Sequence, residues 1–245
     1  MIRVEQHNDV RGISLHRPER RNALSYALLA ELEDALLVTP TDSLSAVIIR
    51  GDDGVFSAGA DLSELTGTSE DTAIDDAIAA VVAAIQRVSV PVIAWVDGPC
   101  VGGAVDLMLA CDIRIASTRA WFQIPATRLG LLYNPAAVAR MRGMLSRETL
   151  SRLLLHGERF GAGQALAAGL VTHAAVAVDS DDAGAPTDRQ AKPNVEAAVA
   201  ATSELLDAID SDDFKADEWE QRRRELLDSP ERAAAIAAAN AGEKN

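Results

Sequence analysis

Cysteine and aromatic residues are scarce in this sequence, which has two cysteines in 245 residues and an aromatic fraction of 4%. Cys100 and Cys111 stand in apolar surroundings, with no histidine or second cysteine at the spacing of a metal site. We therefore expect two buried, reduced thiols, and neither a disulfide nor a metal centre.

Long hydrophobic runs are also missing. No segment approaches the roughly 20 apolar residues that a membrane helix needs. Residues 1–5 (MIRVE) lack the apolar core of a signal peptide. These features predict a cytoplasmic protein with no membrane partner, whose mature chain begins at Met1.

Positive charge is in the minority, since 23 lysines and arginines face 37 aspartates and glutamates, for a formal net charge of −14. The basic residues form no stripe with interleaved aromatics. Both observations argue against a nucleic-acid partner. An anionic ligand must then be held locally, by helix N-termini or by a few positive side chains.

The hydrophobic pattern predicts strands that alternate with helices, which is an α/β fold. A hairpin is expected over 2–6 and 10–16, buried strands over 45–50 and 91–96, and short strands over 112–116 and 121–124. Helices are expected over 72–88, 103–110, 136–144, 147–156 and 163–168, with Ser25 capping an earlier one. Gly98-Pro99 is predicted to be a turn. The acidic segment 66–76, poor in anchoring residues, is predicted to be a mobile loop.

The composition changes after residue 178. Residues 179–194 are small, charged and rich in proline and glycine, as a linker is. Only helical patterns follow, over 195–209, 213–227 and 230–241. We therefore predict an α/β core over 1–178, a linker over 179–194 and a helical C-terminal subdomain over 195–245.

Two glycine-containing segments, 56–62 (FSAGADL) and 101–107 (VGGAVDL), mark places where a ligand can approach bare main chain. Two fixed N–H groups in such a place can stabilise the negative oxygen of an enolate that forms from a thioester. Losing one such donor typically costs about 3–4 kcal/mol of barrier.

Asp106 lies three residues after Gly103, so its carboxylate is expected one helical turn along on roughly the same face. We expect its pKa to rise in these apolar surroundings, which suits a group that moves a proton next to a carbonyl.

These segments resemble the crotonase (enoyl-CoA hydratase/isomerase) superfamily in order and spacing, as do HRPERRNAL near the start, VGGAVDLMLACDIRIAS and GERFGAGQALAAGLV. The resemblance implies a spiral of β-β-α units with C-terminal helices used in trimerisation. It implies a homotrimer or a dimer of trimers. The substrate is then an acyl-CoA thioester, and no separate cofactor is needed because coenzyme A is part of the substrate.

The resemblance also assigns roles to individual residues. The main-chain N–H groups of Ala60 and Gly103 form an oxyanion hole, Asp106 is the acid/base and Tyr133 is a secondary catalytic candidate. Substrate contacts are implied for a larger set of residues: Arg21, Ala23, Ala58, Asp61, Leu62, Gly102, Pro125 and Leu129.

The sequence departs from each of the three subfamilies that it resembles. Hydratases carry glutamate in place of Asp106 and a second glutamate in place of Ala126. Dienoyl-CoA isomerase has aspartate in the first of these positions, but acidic residues where Ala126 and Asn134 stand. The run LGLLYN (129–134) resembles methylmalonyl-CoA decarboxylase, which has histidine in place of Ala60. Three alternatives stay open: isomerisation or hydration through Asp106, decarboxylation oriented by Tyr133, and acyl-CoA binding without turnover.

Structural roles compete with these assignments. Gly103 can serve close backbone packing, Asp106 can complement a helix N-terminus, and Tyr133 can be a packing residue. Asp61 is more easily explained as a brace for the turn after Ala60 than as a proton carrier. Arg21 can be a solvated surface residue.

Overall fold

A computed structural model describes residues 1–39, 44–175, 195–211 and 213–242. The chain forms two compact units. The first, here the sheet unit, comprises Met1–Asp61, Asp76–Gln123 and Phe160–Thr187. The second, here the helical unit, comprises Leu62–Asp75, Ile124–Arg159 and Asp188–Asn245. The predicted boundary at residue 178 and the predicted linker 179–194 lie outside the described residues and stay predictions.

The described residues of the sheet unit form two sheets. The strands, in chain order, are β1 (Ile2–His7), β2 (Val10–Leu15), β3 (Ala46–Gly51), β4 (Val92–Val96), β5 (Pro99–Val101), β6 (Ile113–Ala116), β7 (Trp121–Gln123), β8 (Phe160–Gly161) and β9 (His173–Ala174). The larger sheet has the order β1-β2-β3-β4-β6-β9, and the smaller has the order β5-β7-β8. In the larger sheet only the β1–β2 pair is antiparallel. The predicted hairpin is therefore confirmed.

The helices, in chain order, are α1 (Tyr26–Leu37), α2 (Thr72–Arg87), α3 (Gly103–Leu109), α4 (Pro135–Arg142), α5 (Arg147–Leu150), α6 (Ala162–Ala167), α7 (Glu196–Asp210), α8 (Ala216–Leu227) and α9 (Pro230–Gly242). The sheet unit holds α1, α3, α6 and α2 from residue 76 onward, and the others belong to the helical unit. A π-helical turn, Ser151–Leu155, continues α5. Within the described ranges, no helix is long and apolar enough to cross a membrane.

The core of the sheet unit lies on one face of the larger sheet. Alternate residues of β3 and β4, such as Val47, Ile49 and Ala94, are at most 2% exposed. This is the period of two that a strand imposes on its side chains. Ser25 begins α1 as predicted, because its hydroxyl accepts the N–H of Leu28 at 3.2 Å. Every residue of α3 is buried, as expected for a helix that is apolar on all sides.

The acidic segment 66–76 has an anchor that the sequence interpretation did not foresee. Asp71 is buried, and its carboxylate accepts the N–H groups of Thr66 (2.7 Å) and Gly67 (3.0 Å). It also accepts a hydrogen bond from the buried guanidinium of Arg232 at 2.6 Å. The expectation of a segment poor in anchors was wrong, because the partner lies 161 residues later in the chain.

Both cysteines are free and buried, as the sequence predicted. Burial raises the pKa of Cys111 to about 12 and raises that of Cys100 well above its usual value. Because the thiolate is the reactive form, neither thiol should react with Ellman's reagent at pH 8 while the protein is folded. Both should react after unfolding in guanidinium. A thiol that reacts rapidly in the native protein would show that this part of the core is open.

Candidate active site

The segment that contains Ala60 is held on one side by residues 21–24. The N–H of Ala58 donates to the carbonyl of Arg21 at 3.0 Å. Further along, the N–H of Leu24 donates to the carbonyl of Gly59 at 2.8 Å, and the N–H of Asp61 donates to the carbonyl of Leu24 at 3.1 Å. These bonds form a parallel bridge that fixes the main chain on both sides of residue 60.

On its other side, the same segment pairs with β5. The N–H of Ser57 donates to the carbonyl of Pro99 at 3.1 Å, and the N–H of Val101 donates to the carbonyl of Ser57 at 3.0 Å. A side chain on Gly59, where φ is +88°, would come within 2.7 Å of the Val101 carbonyl oxygen. A side chain on Gly102 would meet the Gly59 Cα at 3.9 Å. The two main chains therefore abut, and at Gly59 only glycine permits this approach.

The N–H of Ala60 points away from Leu24. In the bridge between Leu24 and Ala60, the carbonyl of Gly59 and the N–H of Asp61 are the groups that face Leu24. Because main-chain groups of an extended segment alternate in direction, the N–H of Ala60 faces the opposite side, where Gly102 approaches.

Gly103 is the first residue of α3, where main-chain N–H groups have no partner within the helix. The N–H of the preceding Gly102 donates to the carbonyl of Gln123 at 2.8 Å. Across the described part of the chain, no hydrogen-bond acceptor is found for the N–H of Ala60 or of Gly103. Two neighbouring segments of main chain thus each present a donor that a bound oxygen atom can use.

Asp106 lies one turn into α3 and is 4% exposed. Its spacing of three residues from Gly103 puts its side chain on roughly the same face of α3 as residue 103, whose N–H lies at the N-terminal end of the helix. The arrangement can therefore place a carboxyl group and an amide donor on the same side of one buried helix.

Asp61 is buried and takes part in a partly buried ion pair. Arg17 donates from Nη1 to the Asp61 carboxylate at 2.6 Å, and the two side chains are 17% and 5% exposed. The same Nη1 lies 3.4 Å from the carbonyl oxygen of Ala23. Arg17 thus contacts both segments that meet at the Leu24–Ala60 bridge.

Asn22 is a further residue of this region whose role the sequence interpretation missed. It is fully buried in the left-handed conformation, with φ of +54°. Its side chain accepts the N–H of Arg17 at 2.8 Å and donates to the carbonyls of Asp52 (3.0 Å) and Val55 (2.7 Å). The available sequence signal for this role was an asparagine between two arginines and an apolar Ala-Leu pair. Asparagine tolerates the left-handed conformation better than most residues do.

The other predicted contact residues of the sheet unit differ in exposure. Arg21 is exposed and ends a 3-10 helix, Pro18–Arg20, in the left-handed conformation. Ala23 is 7% exposed. Ala58 and Gly102 are partly exposed. The hydrogen bonds described above bring this group together around residues 60 and 103.

The remaining predicted residues belong to the helical unit. Leu62 begins a 3-10 helix, Leu62–Glu64, and Pro125 precedes another, Ala126–Leu129, which ends with Leu129. Tyr133 is 8% exposed. The neighbouring Asn134 caps α4, since its side-chain oxygen accepts the N–H groups of Ala136 and Ala137. No set of three or more metal-binding side chains occurs among the residues that the structure describes.

The sequence matches the family model for enoyl-CoA hydratase/isomerase over residues 5–223. It is 34% identical over 170 residues to the 2,3-dehydroadipyl-CoA hydratase of Escherichia coli K12, and the aligned region covers 69% of this chain and 67% of that protein. It is 31% identical over 180 residues to the probable enoyl-CoA hydratase echA6 of Mycobacterium bovis, and the aligned region covers 74% of this chain and 73% of that protein.

The structure is similar to that of methylmalonyl-CoA decarboxylase in complex with 2-nitronate-propionyl-CoA. The TM-score is 0.77 at 24% identity, and the match covers 98% of this chain and 95% of the other. At this identity the likeness shows the fold alone. It confirms the predicted α/β class with a helical C-terminal region.

Proposed function

The chain belongs to the enoyl-CoA hydratase/isomerase family, and on that basis we propose that it binds an acyl-CoA thioester and stabilises its enolate. The thioester oxygen accepts hydrogen bonds from the N–H groups of Ala60 and Gly103. One observation carries this proposal: among the residues that the structure describes, neither amide has an acceptor, and they follow the two glycines whose main chains abut.

The chemical reason is the charge that develops during the reaction. Removing a proton from the carbon next to a thioester carbonyl moves negative charge onto the carbonyl oxygen. Fixed N–H donors stabilise that charge most where the surroundings exclude water and the donors need not reorient. Gly103 and all of α3 are buried, and the hydrogen bonds on both sides of Ala60 fix its amide.

Asp106 is the proposed acid/base. One carboxylate is sufficient for isomerisation of a double bond, because the same group takes a proton from one carbon and returns it to another. Hydration requires a water molecule as well, and Ala126, in place of the second glutamate of hydratases, offers no second carboxylate. Isomerisation and hydration both require proton transfer through Asp106, so they share one test of this residue.

Substrate turnover tests the proposed function directly. The purified protein is incubated with crotonyl-CoA, a 3-enoyl-CoA and methylmalonyl-CoA, and the products are followed by mass spectrometry and by absorbance of the conjugated thioester. We expect hydration of crotonyl-CoA or conversion of the 3-enoyl-CoA to its 2-enoyl isomer.

Other outcomes of the same panel would overturn the assignment. Release of CO2 from methylmalonyl-CoA alone would favour decarboxylation, for which Tyr133 in the LGLLYN segment is the candidate to orient the carboxylate. Tight binding of all three thioesters without turnover would favour a carrier. Absence of binding would contradict the proposed thioester site altogether.

A further inference from the structure

We propose that Arg17 is a positioning residue for the reaction, which acts through Asp61 to fix the direction of the Ala60 amide. This inference rests on the proposed function, because it concerns the same oxyanion donor. Arg17 is not proposed to touch the substrate.

The contacts of Arg17 join the two segments that define residue 60. Its Nη1 donates to the Asp61 carboxylate at 2.6 Å and lies 3.4 Å from the Ala23 carbonyl oxygen. Asp61 directly follows Ala60, and Ala23 directly precedes Leu24, the bridge partner of Ala60. One guanidinium therefore contacts both main-chain segments that meet in the bridge, in addition to the main-chain hydrogen bonds that join them.

Arg17 is itself held by the fold. Its N–H donates to the side chain of Asn22 at 2.8 Å, and its carbonyl accepts the N–H of Asn22 at 2.9 Å. Asn22 in turn donates to the carbonyls of Asp52 and Val55 beyond the end of β3. A continuous set of bonds therefore runs from the larger sheet through Asn22, Arg17 and Asp61 to the amide of Ala60.

The charges explain why arginine is suited to this position. The Asp61 side chain is 5% exposed, and a buried carboxylate is costly unless it is paired. The guanidinium donates in several fixed directions, so it can reach the carboxylate and the carbonyl together, which an ammonium group does less well. A second neighbour, Glu19, lies 3.8 Å from Nε and is 68% exposed, so solvent screens that contact.

Small displacements of an oxyanion donor have large kinetic effects, and misplacement by about 1 Å costs on the order of 100-fold in rate. We therefore expect Arg17→Met to lower kcat about 10-fold to 100-fold. KM should change little, because the residues that bind the rest of the thioester are untouched. Arg17→Lys should recover part of the loss, since it restores the charge but not the two-sided contact.

The direct readout is the carbonyl of a bound thioester that does not turn over. Butanoyl-CoA labelled with ¹³C at the thioester carbonyl is bound to the protein. The ¹³C chemical shift of that carbonyl carbon and the stretching frequency of the C=O bond both report how strongly the bond is polarised. We expect the wild type to polarise the carbonyl, Arg17→Met to lose at least half of that effect and Arg17→Lys to be intermediate. Glu19→Gln removes the exposed partner of Arg17 only, so it serves as the matched control and should retain the full effect.

The outcomes separate this inference from the proposed function. If the wild type does not bind butanoyl-CoA or does not polarise its carbonyl, the proposed function fails. If the wild type polarises the carbonyl and Arg17→Met does so equally, the positioning role of Arg17 is wrong. Arg17→Met/Asp61→Asn leaves no unpaired buried charge, so it keeps the test valid should the single variant fold poorly. That double variant should also lack the polarisation.

Discussion

Asp106→Asn is expected to lower kcat for isomerisation or hydration by about 100-fold to 10,000-fold, the range that a positioned acid or base contributes. The change replaces one oxygen by an NH2 group of similar size, so the packing around the buried side chain is preserved. What is lost is the ability to accept and return a proton. The measurement is kcat with whichever enoyl thioester is turned over, together with the thermal unfolding midpoint to establish that the variant is folded.

Asp106→Glu provides the matched control for this change. It keeps the carboxylate and lengthens the side chain to the residue that hydratases have at this position, so part of the activity should remain. Decarboxylation of methylmalonyl-CoA, if present, should survive Asp106→Asn, because loss of CO2 generates the enolate without removal of a proton. An asparagine variant that isomerises or hydrates at the wild-type rate would remove Asp106 from the mechanism.

Replacing Gly103 by proline should have an effect of comparable size. Proline removes the N–H and is tolerated at the first position of a helix, where that N–H has no helical partner. Gly102 has φ of 57° and ψ of −127°. These angles are the mirror image of the extended backbone that residues before a proline prefer. Glycine adopts the mirror-image conformation readily, so Gly102 can precede a proline without changing its backbone. We expect kcat to fall about 100-fold to 1,000-fold, the typical cost of one oxyanion donor.

The control must carry the added Cβ without losing the amide N–H. A Cβ on residue 103 would lie 2.5 Å from Cδ1 of Ile78, the end of a flexible side chain. Ile78→Val removes that atom, at a cost of about 0.5–1.5 kcal/mol of stability. The comparison is therefore between Ile78→Val/Gly103→Ala and Ile78→Val/Gly103→Pro. Equal kcat values in these two variants would mean that the N–H of residue 103 does not act on the substrate.

Elements that depend on local signals were predictable from the sequence. The β1–β2 hairpin has alternating strands around Asn8, which occupies the left-handed conformation that its turn requires. α1 has a hydroxyl cap at Ser25 and a helical apolar period. α3 is recognisable because its apolar run is interrupted only by Asp106, and the structure buries that helix completely.

Short strands that form only by distant pairing were not predictable in the same way. The sequence predicts a turn at Gly98-Pro99, but Pro99 begins β5 (Pro99–Val101), which forms because β7 lies alongside it. β8 and β9 have two residues each, too few to show a period. The second half of the helix predicted over 147–156 adopts π-helical turns, which the same apolar period does not distinguish from α-helical ones.

The residues of the candidate site fall into the same two groups, namely those indicated by local sequence signals and those that meet only through contacts between distant parts of the chain. The glycines of FSAGADL and VGGAVDL pointed to the proposed main-chain donors, because a ligand or a second backbone can approach only where side chains are small. Arg17 and Asn22 were not identified as supports, since their partners Asp52, Val55 and Asp61 are 30 to 44 residues away. Only the folded chain shows that these side chains meet.

A crystal structure of the protein with bound butanoyl-CoA tests the central claim most directly. The account predicts that the thioester oxygen lies about 2.7–3.1 Å from the main-chain nitrogens of both Ala60 and Gly103. It also predicts the Asp106 carboxylate beside the carbons next to the carbonyl. A thioester oxygen that contacts neither nitrogen, or amides of Ala60 and Gly103 that donate to protein acceptors in the complex, would contradict it.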